Sequence, residues 1–115
     1  MSETDNSRVI RFAEMHDAIP GLVGERSVLA LKRGTLDIRL SLPVLPNHQT
    51  PHVQDEIYIV VRGRGTLVHG EMRDPFQSGD VLFVAAGIEH HYEEFSVDLA
   101  VWRVFYGQHG GEVPA

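Results

Sequence analysis

Between residues 36 and 42 the chain alternates strictly: Leu36, Ile38, Leu40 and Leu42 are apolar, and Asp37, Arg39 and Ser41 between them are polar. A period of two sends neighbouring side chains to opposite faces, so this stretch predicts a strand with one face on a core and the other in water. Runs rich in β-branched and aromatic residues predict further strands over residues 28–31, 56–61, 66–69, 81–84 and 99–106. Glycine-bearing turns separate most of them. Helical periodicity is confined to a short turn over residues 13–19, stopped by Pro20 and Gly21. Many short strands without crossover helices imply a sandwich or a barrel.

One of these strands is apolar on both sides. Ile57, Ile59 and Val61 face opposite to Glu56, Tyr58 and Val60. An outer apolar face needs a cover, which we expect from a second subunit in a homodimer or from an N-terminal strand over residues 9–12.

Composition narrows the class without changing the architecture. At 115 residues, 43% hydrophobic and 23% charged, the chain is expected to be one globular domain over residues 1–115 with polar tails and no internal repeat. The net charge of -6 and the scatter of ten Lys and Arg residues give no basic field for nucleic acid. The N-terminal stretch carries Glu3 and Asp5 rather than a signal-peptide pattern, and no apolar run approaches the ~20 residues of a membrane span, so a cytoplasmic protein with no membrane partner is expected. Cysteine is absent, so any metal must use His, carboxylate or amide donors.

Such donors are present. His52 and Glu56 stand four residues apart, which is ~13 Å in a straight strand and too far for two ligands of one ion. Pro51 disfavours a helix, which leaves a tight turn over residues 53–55 that sets the two side by side. A third donor, His90, follows a turn in which Gly87 can take a positive φ.

The spacing of these residues carries a resemblance. Glu56, six residues, then Gly63 resembles the end of the first cupin motif. Gly79, seven residues, Gly87, two residues, then His90 resembles the core of the second, and a short hairpin over residues 64–78 lies between. The resemblance covers about residues 36–106 and implies an all-β, cupin-type jelly-roll barrel. Three positions depart from the pattern: Thr50 stands where the first motif has its leading His, Ala85 where the second has Pro, and Glu94 where it has Asn. Without the leading His the set is two imidazoles and one carboxylate, which matches the facial triad of non-haem metal sites and suits Fe, Mn, Ni or Zn. His48 or Gln49 is the candidate fourth ligand. Strand parity would place His48 on the inward face with His52, whereas Gln49 would need a kink at Pro51.

Tyr58 and Tyr92 each lie two residues beyond a proposed ligand on the same strand face, which makes them candidates to touch substrate; Trp102 is a weaker one. Glu89, Glu93 and Glu94 read as a solvated rim that would disfavour a strongly anionic substrate. No serine elbow, thiol or lysine-centred motif is present, so catalysis would rest on the metal. Two functions fit: a metal-dependent enzyme acting on a small organic molecule, of dioxygenase, isomerase or decarboxylase type, or a module that binds a small ligand without turnover.

Overall fold

The computed structural model of the protein describes residues 7–47 and 49–114. A short helix, α1 (Phe12–Asp17), precedes eight strands: β1 (Ser27–Arg33), β2 (Leu36–Ser41), β3 (Asp55–Arg62), β4 (Arg64–His69), β5 (Met72–Gln77), β6 (Val81–Val84), β7 (His90–Glu93) and β8 (Ala100–Tyr106). They form a five-stranded sheet in the order β1-β2-β8-β3-β6 and a three-stranded sheet in the order β5-β4-β7, with every pairing antiparallel. Among the described residues no helix is long and apolar enough to cross a membrane.

Two apolar clusters lie on opposite faces of the larger sheet. Inside, Tyr58, Val60, Val84 and Val101 meet Leu67, Phe76 and Tyr92 of the smaller sheet. Outside, Leu40, Leu42 and Ala100 pack with Ile19, against Phe12, Met15, Val61 and Trp102. The six residues of α1 are too few to hold a helix alone, and Arg11 at its start supplies no side-chain cap, so tertiary packing holds it. Arg62 fastens it further, with its guanidinium 5.6 Å from the Phe12 ring centre and Nη2 3.1 Å from His16 Nε2.

This arrangement changes the meaning of the alternation in β2. Leu40 and Leu42 do reach a core, but it is the outer one beneath α1. Asp37 and Ser41 are buried too, not in water. The polar face of β2 is on the barrel side, where Arg39 pairs with Arg103 of β8 and Ser41 with Ser27 of β1. Trp102 belongs to the outer cluster and packs edge-on to Phe12.

The cover expected over β3 is partial, and a helix supplies it rather than a strand: Val61 meets the cluster under α1. Ile59 on β3 and Val81 and Phe83 on β6 remain exposed, and the pairings Ile57–Phe83 and Ile59–Val81 make them one apolar strip.

Candidate metal centre

Glu56 opens the inner face of β3, and its position depends on the bend before it. The chain enters β3 from a bend at Val53 and Gln54, so the expected turn is present, though His52 precedes it in irregular chain rather than at a strand end. Strand parity therefore does not govern residues 49–52. Asp55 holds the bend. Its Oδ1 accepts the Ala86 N–H at 3.0 Å and its Oδ2 the Glu112 N–H at 2.9 Å, while Gly110 N–H donates to Val53 O at 2.7 Å. Gly87, with φ +82, donates its N–H to His52 O at 2.7 Å and ties the loop that leads to His90 against the His52 loop.

These ties bring three donors to one point. His52 Nε2 lies 3.5 Å from Glu56 Oε1 and His90 Nε2 3.2 Å from the same oxygen, and all three atoms fall within 4.8 Å of one another. Ligands bound at ~2.1 Å in tetrahedral or octahedral geometry sit roughly 3.0–3.4 Å apart, so the trio needs little movement to share an ion.

Hydrogen bonding supports the same fit. His90 Nδ1 lies 2.9 Å from Ile88 O, a group that only accepts, so Nδ1 carries the proton and Nε2 of the neutral ring presents a lone pair to the centre. Glu56 Oε1 is fully buried and receives no hydrogen bond among the described residues. Two acceptors facing each other at 3.2 Å call for a cation or a proton between them. The donor set therefore suits a divalent transition metal.

A fourth side chain, absent from the sequence reading, completes the cluster. Arg103 lies on the inner face of β8, diagonal to Glu56, and donates from Nε to Glu56 Oε2 at 2.9 Å and from Nη2 to His52 Nε2 at 3.3 Å. Burial pushes the Glu56 carboxyl up, but a hydrogen bond from the His90 ring in its protonated form and the Arg103 guanidinium outweigh it and hold it below the usual carboxylate range. Burial, with Arg103 and His90 adding to it, lowers His52 against the opposing pull of Glu56. The signal for Arg103 was in the sequence: it is the one charged residue in the run Leu99-Ala-Val-Trp-Arg-Val-Phe-Tyr106.

The other candidates take distinct places. The Tyr58 hydroxyl donates to Gln49 Oε1 at 2.7 Å and stands 2.9 Å from His90 Nε2. Gln49 thus has its oxygen on Tyr58 and its Nε2 on Asn47 Oδ1, one residue removed from the trio. His48 lies outside the described residues. Tyr92 is buried against Tyr58, with ring centres 5.3 Å apart, and its hydroxyl has no hydrogen-bond partner among the described residues. Burial raises both phenols far above their ordinary range, so they remain protonated donors. Glu89 and Glu93 line an outer groove with His91, away from Arg103.

Comparison with known proteins bears on this geometry. No protein-family model matches the chain. An uncharacterised protein of Streptomyces coelicolor is 42% identical over 57 residues, which are 50% of this chain and 54% of that protein, so the match spans about half of each. Among solved structures, a cupin-2 domain protein from Shewanella frigidimarina superposes with a TM-score of 0.64 at 17% identity, over 84% of this chain and 92% of that one. The chain has the cupin fold. A second neighbour, the DMSP lyase of Ruegeria pomeroyi, gives a TM-score of 0.61 at 16% identity over 71% of this chain and 46% of the lyase. Thr50, at the first motif's leading position, offers no imidazole, and Arg103 adds a cation beside the three donors.

Proposed function

We propose that this cupin binds one divalent transition metal, Fe, Mn, Ni or Zn, through His52, Glu56 and His90, and acts as a metal-dependent enzyme on a small organic substrate. The observation that carries the reading is the convergence of two imidazole nitrogens on a buried carboxylate oxygen that receives no hydrogen bond. Bound there, the metal would supply Lewis acidity or an oxygen-activating centre, the chemistry of dioxygenases, isomerases and decarboxylases. The protein's own groups do the rest. Arg103 holds Glu56 Oε2 and leaves Oε1 for the ion, Ile88 fixes the His90 ring, and Tyr58, its proton on Gln49 Oε1, keeps its hydroxyl oxygen 2.9 Å from His90 Nε2. The enzymatic neighbour of like fold, a lyase, supports turnover as the primary reading.

A second reading, capture of a small ligand without turnover, draws on Arg103. Its guanidinium already neutralises Glu56, so the barrel can keep the carboxylate charged with no ion present.

Metal content per chain after reconstitution of untagged protein tests the proposal. We expect one ion per wild-type chain and a sharp loss in His52→Ala, Glu56→Ala and His90→Ala, with His48→Ala and Gln49→Ala affecting it less. Equal occupancy in wild type and the first three variants, with the fold intact, would sink it. Conversion of a panel of phenolic and keto acids by the loaded protein, against binding with no product, separates the two readings.

A further inference from the structure

A cavity of about 210 Å³ opens beside the cluster, walled by Ser27, Ser41, Gln49, Tyr92, Arg26 and Arg103 among others. Four buried side-chain polar atoms lack a hydrogen-bond partner among the described residues, and three of them, Ser27 Oγ, Ser41 Oγ and Tyr92 OH, belong to this wall. The fourth is Glu56 Oε1 next door. Leaving one such group unpaired costs about 1–3 kcal/mol, so three around one space mark a place built for a polar occupant. Among the described residues two arginines and no carboxylate line it; Arg103 is paired with Glu56, so Arg26 leaves the cavity a net positive charge although the chain as a whole is acidic. The acidic rim expected to repel anions does not reach it. The volume is that of about seven waters and falls below the roughly 300–1,000 Å³ of drug-sized sites.

We infer that this cavity binds a small hydroxylated carboxylic acid, with the carboxylate against Arg103 and the remaining oxygens on the hydroxyls of Ser27, Ser41 and Tyr92. The Arg103 Nη protons not used by Glu56 and His52 can meet a carboxylate, and hydroxyls that both donate and accept match a substrate hydroxyl. The inference deepens the reading of the barrel as a small-molecule site, and it stands on the cavity rather than on the metal. Because Arg103 also touches Glu56 and His52, an acid held there would lie beside the three donors.

The test uses full-length protein in metal-free and metal-loaded forms, titrated calorimetrically with lactate, glycerate and 2-hydroxyisobutyrate, and with propionate and lactamide as controls lacking the hydroxyl and the charge. At least one hydroxy acid should bind metal-free protein saturably and at least tenfold tighter than lactamide. Tyr92→Phe and Ser41→Ala remove hydroxyls with no hydrogen-bond partner within bonding geometry among the described residues. Each should fold normally and weaken the hydroxy acid about fivefold, with propionate unchanged. Absence of binding by all three acids, equal affinity for lactate and lactamide, or unaltered affinity in both variants would overturn the inference. Acid binding by protein that takes up no metal would leave this inference standing while removing the metal proposal.

Discussion

Arg103 Nε and Glu56 Oε2 meet at 2.9 Å on neighbouring strands, so the one charged residue on the inner face of β8 is committed to the carboxylate that also faces His52 and His90. Removing one partner of a buried pair strands the other charge. Arg103→Met should therefore destabilise metal-free protein by about 3 kcal/mol, and the double variant Glu56→Leu, Arg103→Met should recover most of that loss. The same Arg103→Met change removes a cation from beside the metal position and should tighten metal binding about tenfold. Denaturant unfolding and metal titration of the three variants measure both effects.

Acid should weaken the metal-free fold. His52 titrates below its ordinary 6.5 in the folded chain, so the unfolded chain binds the proton first and stability falls as pH drops through that value. Glu56 is likewise below its ordinary 4.5, and its contribution is present above that pH and lost as pH falls through the lower folded value. Both act in one direction. Urea midpoints should decline progressively from pH 7 to pH 4, and more shallowly in a His52→Gln variant. A flat profile would contradict the assignment.

Glu94 follows β7 with φ +50, the positive-φ residue other than glycine among those described. This is the position where the second cupin motif has Asn, a residue that tolerates the left-handed region. Glu94→Asn or Glu94→Gly should raise stability by about 0.5–1 kcal/mol, read as an increase in Tm of a few degrees.

The strip of Ile59, Val81 and Phe83 along the outer edge of β3 and β6 should be covered in a homodimer. Sedimentation at micromolar concentration should give twice the chain mass, and Phe83→Lys should return the monomer. A wild-type monomer under those conditions would leave the strip without this role.

What the sequence made legible follows from which signals are local. The strands over residues 36–42, 56–61 and 81–84 show in short-range patterns, and the glycines at 63, 79 and 87, all with positive φ, mark their turns. His52 and Glu56 could be named because their spacing calls for a turn over residues 53–55, and His90 because it follows the turn at Gly87. The orientation of β2 was harder. Alternation says that two faces differ, not which is turned into the barrel, and the apolar face of β2 met an N-terminal helix while the polar one met the cavity. Arg103 escaped notice because its meaning depends on the β3–β8 register, which sets it diagonal to Glu56 across 47 residues of sequence. Gln49 is a candidate fourth ligand through its nearness to the missing leading His, and its hydrogen bond with Tyr58 is not legible locally because Tyr58 lies in another element.

The clamp at Asp55 joins residues 86 and 112 to the bend that presents His52 and Glu56. A centre fastened this way cannot loosen one loop at a time, because freeing any of the three segments exposes the buried Asp55 carboxylate. The loops around the centre should then belong to the slowest cooperative unit of the molecule rather than to its mobile fringe. Native-state hydrogen exchange should show the Ala86, Gly87 and Glu112 amides opening only with global unfolding, and Asp55→Ala should let all three exchange by local fluctuation while the β4–β5 hairpin keeps its protection.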